Sequence, residues 1–429
     1  MSESKLTSAL KAAIEDPKSA ADKIGEVSQG EITTGEEAEL IVRLLKVLPL
    51  STESSAKRAF GSALTDVLGL MQKPKSEDAV QVLRASGGPE LLRIFDVASP
   101  TADKRTRNDL LLLLKVVCMY APAGGLERVV TAARSPLLRD GFPWSMIFHL
   151  VAKDRHPWRA DVIEALRKPL PEGFVAVTFL DLCNSAARSG RLACHPFDSE
   201  AGLVLLRQWL HETDEDRSSY AHSAAASIPF LSKGHREEVQ ALADQHSDRG
   251  VQLEAAWAAA ATGDERGYQK LEAASVVPQE AAAAMHYLTE LGAENRIPAQ
   301  SQTDDFKAIS EMCQWLAHPM EFGQPPDEIE QADARELFWP PTNDRRKLWV
   351  FRYEYAPEED ETEPRAGYGM VGSTTFALFG ESTPDLSTQQ VYGLHCAWEL
   401  ECKGDARAPK KRSAETGLQI LKEHNPDFG

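Results

Sequence analysis

Cysteine is scarce in this chain and is nowhere paired at short spacing. Six cysteines are spread over 429 residues, at positions 118, 183, 194, 313, 396 and 402, and none forms a CxxC motif. Disulfide scaffolds are short and cysteine-dense, and this chain is neither. We therefore expect reduced, mostly buried thiols in a cytoplasmic protein.

Long apolar runs are also missing. The most apolar stretch, Leu110–Tyr120, is interrupted by Lys115 and falls far short of the roughly 20 residues that span a bilayer. The first residues, MSESKLTSALKAAIED, lack the basic start and apolar run of a secretory signal. We therefore expect neither a signal peptide nor a membrane partner.

Positive charge is in deficit. The chain has 47 Lys and Arg against 65 Asp and Glu, which gives a formal net charge of -18. Binding to a phosphate backbone needs clusters of Lys and Arg, so this acidic balance argues against a nucleic-acid partner. It suits a basic partner or metal cations, or serves only to keep the protein in solution.

Familiar catalytic signatures are absent as well. The sequence contains no HExxH, GxSxG or Walker A pattern, and nothing marks a Ser-His-Asp site. The sequence thus favours a non-enzymatic role over an enzymatic one, and we expect no cofactor.

The clearest feature that is present is a helix hairpin over Val251–Ala274. Asp248 can cap its first helix, and small and apolar residues then follow at helical spacing. Gly263 is suited to end that helix, and Asp264 can cap the second. A hairpin this small cannot bury its apolar face alone, so it needs a similar neighbour on each side.

This stretch resembles a HEAT-type repeat, in the short form named after phycobilisome lyases. The resemblance is carried by Asp248-x-x-Val251, Glu254-Ala-Ala, Gly263-Asp-Glu-Arg and Leu271. It is clearest over about residues 216–292, where Asp216-Arg217 precedes another alanine-rich helix 32 residues earlier and Ala281–Leu291 suggests a third copy. The resemblance implies a stack of helix pairs and, as a lesser alternative, lyase-like action on a cofactor-bearing partner.

The pattern divides the chain near residue 300. Residues 1–300 predict a mainly α fold, an α-solenoid of HEAT-like helix hairpins, with helices such as Thr52–Met71 and Asp103–Tyr120. Residues 301–429 predict a small C-terminal α+β domain with a short β-sheet. No alternating β pattern occurs before about residue 340.

Within the C-terminal domain, Asp305–His318 and the charged stretch Asp327–Phe338 predict helices, and Lys347–Tyr355 predicts the clearest strand. An acidic run, Glu358–Glu363, predicts a solvated loop, and Gly372–Phe379 predicts a second strand. The capping-box pair Ser387 and Gln390 starts a helix over Thr388–Cys402, and Ala414–His424 predicts a last one.

Gly367-Tyr-Gly-Met-Val-Gly372 matches GxGxxG. The dinucleotide form of this motif follows a buried strand and opens a helix. Here an acidic run precedes the glycines and a predicted strand follows them. A glycine-rich β-turn is therefore the preferred interpretation over a nucleotide-binding loop.

Four residues are the candidates for a metal or catalytic site. His395 and Glu399 are four positions apart on one predicted helix and so share a face, and His318 and Glu321 could join them from elsewhere. The alternative is a packed core, because buried His is common there. Cys194-His195 is a further pair, interpreted as loop residues rather than a nucleophile and its base.

Tryptophans 315, 339, 349 and 398 are concentrated in the last third of the chain. Trp315, Trp339 and Trp349 are the candidates for a binding surface, because aromatics are enriched at interaction hot spots. The alternative is that they fill the core of the small β-containing domain.

Taken together, these observations predict a non-enzymatic interaction scaffold whose partner is another protein. The alternative is an enzyme or a ligand- or metal-binding protein with its site where the solenoid meets the C-terminal domain. That alternative requires His318, Glu321, His395 and Glu399 to converge in one cleft.

Overall fold

The computed structural model describes residues 3–48, 62–212, 218–318, 320–357, 365–378, 383 and 385–428. This part of the chain is mainly helical, with one four-stranded antiparallel sheet near its C-terminal end. The chain divides into two compact units, Met1–Ala243 (unit 1) and Asp244–Gly429 (unit 2).

Unit 1 is helical throughout the residues described. Its helices are α1 Lys5–Glu15, α2 Ala20–Gly25, α3 Gly35–Val47, α4 Ser62–Met71, α5 Glu77–Val82, α6 Gly88–Ala98, α7 Arg107–Tyr120, α8 Gly125–Ala133, α9 Trp144–Ala152, α10 Arg159–Leu166, α11 Phe174–Arg188, α12 Glu200–Leu210, α13 Ser218–Ala226 and α14 Lys233–Asp244. A single π-helical segment, Leu83–Gly87, joins α5 to α6. The predicted helix Thr52–Met71 is described only from residue 62 onward, as α4, and its first part lies outside the described residues.

Alternate helices of unit 1 pack beside one another. Helices α7, α9, α11 and α13 each contact the next in that series, and α8 packs on α7 and α10. The leucine run of α7 is buried, as expected for an inner helix, with Leu110, Leu111, Leu113 and Leu114 fully inaccessible. Helix α11 is buried on most sides too.

Hydrogen bonds between these helix pairs recur at a nearly constant sequence separation. Five that connect one pair to the next span 30 to 39 residues: Arg128 to Asp96, Arg134 to the Ala165 carbonyl, Arg159 to Ser189, Asn184 to the Ser223 carbonyl, and Ser232 to Asp198. This separation is about the length of one helix pair. These hydrogen bonds therefore connect each pair to the next pair along the chain.

The hairpin at Val251–Ala274 forms as the sequence predicts. Its helices are α15, Arg249–Ala261, and α16, Glu265–Ala274. The Asp248 carboxylate accepts hydrogen bonds from the Gly250 and Val251 amides, at 2.7 and 3.2 Å. Gly263 adopts φ +87°, the left-handed conformation that glycine adopts without strain.

Close packing explains a glycine inside the second helix of this hairpin. A Cβ at Gly267 would overlap the backbone of Ala256 and Ala260 on α15. A third helix, α17 (Pro278–Glu290), covers the predicted copy Ala281–Leu291, and Gly292 follows it at φ +66°. The Asp216-Arg217 pair of the other copy lies outside the described residues.

Unit 2 places helices on both faces of its sheet. The strands are β1 Glu328–Trp339, β2 Asp344–Tyr355, β3 Arg365–Val371 and β4 Phe376–Leu378, paired antiparallel in the order β1-β2-β3-β4. Helix α18 (Asp304–Leu316) packs on the face that bears Phe351 and Tyr353. Helices α19 (Thr388–Cys402) and α20 (Ala414–His424) cover the face that bears Leu348 and Val350.

The prediction of a charged helix over Asp327–Phe338 was wrong, because this segment is strand β1. Its Glu, Gln, Ala and Arg residues favour a helix locally, but pairing with β2 overrides that preference. The charges that resemble a helical surface instead form cross-strand ion pairs, Glu330 with Arg352 and Glu336 with Arg345.

The other C-terminal elements follow the sequence more closely. The predicted strand Lys347–Tyr355 lies within β2, and the last two helices have the predicted bounds. The acidic run Glu358–Glu363 lies outside the described residues. Helices α15 to α17 belong to the same compact unit as the sheet. The division into domains 1–300 and 301–429 stays a prediction from sequence pattern.

Candidate functional site

His395 and Glu399 lie side by side on α19. The capping box formed by Ser387 and Gln390 starts the helix. Four residues are about one helical turn, so His395 and Glu399 lie on the same face. The Nε2 atom of His395 is 3.7 Å from Oε2 of Glu399, and both side chains are buried. The sequence therefore predicted this pair correctly as neighbours.

The Glu399 carboxylate is held by donors from three elements. It accepts hydrogen bonds from Trp339 Nε1 at 2.7 Å, from Ser373 Oγ at 2.5 Å and from Lys403 Nζ at 2.6 Å. Burial alone would raise the pKa of this carboxyl, but the hydrogen bonds outweigh burial and leave the pKa below its usual value. Glu399 is therefore ionised at neutral pH and joins α19 to the sheet.

His395 is surrounded by aromatic rings and makes no hydrogen bond with either ring nitrogen. The rings of Trp339, Phe376 and Trp398 lie 4.9 to 5.6 Å from its imidazole, centroid to centroid. Burial lowers the pKa of His395 to about 3, although the Glu399 charge opposes that shift. The imidazole is thus neutral and sealed from solvent, which suits a core residue better than a general base that must reach a substrate.

The other two candidates, His318 and Glu321, lie in the turn that follows α18. His318 Nδ1 accepts a hydrogen bond from the Met320 amide at 3.1 Å, and the Glu321 amide donates to the His318 carbonyl at 2.8 Å. Within the described ranges, no group of three or more His, Cys, Asp or Glu residues could hold a metal ion. The structure therefore does not assemble the four candidates into a metal site.

The three candidate tryptophans differ in accessibility. Trp339 is fully buried and belongs to the core, so the prediction that it contributes to a binding surface was wrong. Trp349 is half-buried, and its Nε1 donates to Asp305 Oδ1 at 2.6 Å, where Lys347 also pairs. Trp315 is 38% exposed and remains available to a partner.

The GxGxxG glycines do not form the β-turn that the sequence favours. Gly367 and Gly369 lie inside strand β3, where a Cβ would overlap Tyr353 and Met312, respectively. These positions are glycine because neighbouring side chains pack over the strand. A bend after β3 leads into β4, so the predicted strand Gly372–Phe379 is realised only at its end. Strand β4, rather than a helix, comes directly after the glycines, so the strand–glycine loop–helix geometry of the dinucleotide motif is not formed.

The pair Cys194-His195 does not make a thiol–imidazole contact. Cys194 is exposed, whereas His195 is buried with both ring nitrogens unbonded and inaccessible. The His195 ring packs instead near Phe197 and Phe230. Burial lowers its pKa to about 4, so this imidazole is neutral as well.

A groove in unit 1 is the feature that the sequence did not reveal. It lies between the loop that follows α10 and the first half of α12, and it encloses about 760 Å³. Apolar residues contributing to its lining are Pro169, Pro171, Pro196, Val204 and Leu205. Val204, on α12, is 57% exposed. The only signal in the sequence was the group of prolines between the predicted helices.

Comparison with protein-family models, with curated proteins and with solved structures finds no match to this chain. The resemblance to HEAT-type repeats therefore stays a prediction that rests on the residues quoted above. Among the described residues, no helix combines the length and the apolar character needed to cross a bilayer.

Proposed function

We propose that this protein is a non-enzymatic interaction scaffold, a helical-repeat protein whose partner is another protein. The observation that carries the proposal is the open groove of unit 1, with Val204 exposed in its wall. An exposed apolar surface with charged residues at its edge is typical of protein interaction sites.

The packing of unit 1 supports the repeat architecture within this proposal. Helix pairs that contact mainly their neighbours in the chain, through hydrogen bonds 30 to 39 residues apart, are characteristic of α-solenoids. The capped hairpin α15–α16, followed by α17, supports the HEAT-like character of the repeat. Grooves between successive helix pairs are the surfaces that such proteins present to partners.

The chemistry of the cysteines supports a cytoplasmic location as part of the same proposal. All six thiols are free, and four of them are buried. Burial raises the pKa of Cys118 and of Cys313 to about 12, so these thiols are unreactive packing groups. Such thiols suit a reducing compartment.

Affinity purification of the intact chain from the cells that produce it tests this function. We expect a protein partner to co-purify at a defined stoichiometry and to survive a gel-filtration step. A chain that elutes without any partner, and that turns over a compound in a substrate screen, would contradict the proposal.

A further inference from the structure

Prolines and a helix restrict the backbone along the walls of the unit 1 groove. Three of the residues that line it, Pro169, Pro171 and Pro196, have φ fixed by their rings. The opposite wall is helix α12, which presents Val204 and Leu205. A preformed apolar groove binds with little loss of conformational entropy, so its apolar area is used efficiently.

Two of the acidic residues along the groove have partners among their neighbours. Glu172 pairs with Arg139 at 2.5 Å. Asp198 accepts hydrogen bonds from Ser232 Oγ at 2.7 Å and from His235 Nδ1 at 2.6 Å. These bonds outweigh burial and keep the pKa of Asp198 below its usual value, so it is a satisfied carboxylate. Asp198 is therefore engaged within the fold, whereas Glu172 remains 75% exposed beside Arg139.

The remaining charges are of opposite sign on the two walls. Arg167 and Lys168 lie on the loop that follows α10, and Arg167 has only a weak i,i+3 pair with the exposed Glu164, at 3.5 Å. Glu200 lies at the start of α12; its side chain is 89% exposed, and its Oε1 is 3.8 Å from His235 Nε2. The groove is thus apolar in the middle, basic along one wall and acidic along the other.

His195 limits the kind of ligand that the groove can hold. Both ring nitrogens are inaccessible and make no hydrogen bond, and the imidazole is neutral, so His195 contributes to the wall through its ring carbons. Recognition then depends on apolar contact and on the charges at the edges. Charges of both signs on opposite walls match a segment that carries one charge of each sign more closely than they match a purely anionic ligand.

We propose that this groove is the docking site for a short segment of a partner protein. The segment inserts an apolar side chain against Val204, directs an acidic residue toward Arg167 and Lys168, and directs a basic residue toward Glu200. This inference rests on the proposed scaffold function and adds the place of binding and the chemistry of the partner.

A display library of random 12-residue peptides, panned on the intact chain, tests the docking site. We expect enriched peptides to share an apolar residue flanked by an acidic and a basic residue. Replacing the exposed valine, Val204→Asp, should lower their affinity about tenfold or more. The matched control is Val97→Asp on α6, because Val97 is 47% exposed and lies away from the groove-lining residues; it should leave affinity unchanged.

Charge reversal gives a second, independent readout. Lys168→Glu leaves Arg167 beside the new carboxylate, so the enriched peptides should lose their preference for the acidic residue, whereas reversal of the exposed Lys153 should change nothing. No enrichment, or peptides that bind Val204→Asp as well as the parent, would overturn the docking site. A natural partner that binds Val204→Asp undiminished would refute the groove and leave the scaffold function intact. Failure of the parent chain to bind any protein would refute the function itself.

Discussion

The two compact units of this protein differ sharply in charge. Unit 1 contains 30 Lys and Arg against 32 Asp and Glu, a formal net charge of -2, whereas unit 2 contains 17 against 33, a net charge of -16. Almost the entire acidic excess of the chain therefore belongs to unit 2. Net charge therefore disfavours a polyanionic partner for unit 2, but it does not disfavour one for unit 1. Composition averaged over a whole chain can describe neither part of it well.

The units also differ in how far along the chain their contacts reach. Side-chain hydrogen bonds between helix pairs of unit 1 span 30 to 39 residues from α6 to α14, and up to 49 residues nearer the start of the unit, where Tyr120 binds the Met71 carbonyl. In unit 2, Asn425 binds the Phe338 backbone across 87 residues, and Trp339 binds Glu399 across 60. We therefore expect unit 1 to open locally, pair by pair, and the sheet of unit 2 to unfold as one cooperative body.

The largest effect should come from the crossing of the last two helices. A Cβ at Gly417 on α20 would overlap the backbone of Gly393 on α19. We expect Gly417→Ala to destabilise unit 2 by about 3 kcal/mol, because the helices must separate. Hydrogen exchange measured by mass spectrometry should show faster exchange in β1–β3 and α19, with unit 1 unchanged. The matched control is Gly69→Ala on α4 in unit 1, where a Cβ meets nothing within 4 Å.

A smaller effect should follow removal of the buried carboxylate. Glu399→Gln leaves a neutral amide facing the donors Trp339 and Ser373, and we expect a loss of about 2 kcal/mol. Urea unfolding followed by tryptophan fluorescence measures it. Glu401→Gln, at an exposed position of the same helix, should cost less than about 0.5 kcal/mol. Equal effects of the two changes would mean that the Glu399 hydrogen bonds contribute nothing to stability.

Elements with local causes could be predicted from the sequence, and elements with distant causes could not. Asp248 and Ser387 cap helices through atoms two or three residues away, so their helices start where predicted. Strand β1 was missed because its Glu, Gln, Ala and Arg residues favour a helix locally, and only pairing with β2 across the turn at residues 340–343 makes it a strand. The His395–Glu399 pair was found because it lies on one helix. The groove was missed because the loop after α10 and helix α12 are about 30 residues apart and only the fold brings them together.

The smallest expected effect is the pH dependence of stability between pH 5.5 and 6.5. His395 is neutral when folded, with its pKa lowered to about 3 from 6.5, so the unfolded chain binds a proton more readily between these values. Its contribution to folding is therefore full above about pH 6.5 and is lost as the pH falls, by about 1.4 kcal/mol for each pH unit. The variant His395→Gln should weaken this dependence in unit 2. Urea unfolding at pH 5.5 and 6.5 measures it, and an unchanged slope would contradict the assignment.

The stability of unit 1 should also fall as the pH is lowered below about 6.5, because burial lowers the pKa of His195 to about 4. His195→Gln should therefore weaken the pH dependence of unit 1 and leave that of unit 2 unchanged. Local hydrogen exchange over the same pH range separates the two responses. If either variant changed the pH dependence of both units, the expectation that the two units respond separately would be wrong.

Cross-linking mass spectrometry of the intact chain with its co-purified partner tests the central claim most directly. We predict that cross-links from the partner concentrate in unit 1, at lysines such as Lys168 beside the groove, and that Val204→Asp removes them. Cross-links confined to unit 2, or a pattern that Val204→Asp leaves unchanged, would contradict a scaffold that binds its partner between the helix pairs of unit 1.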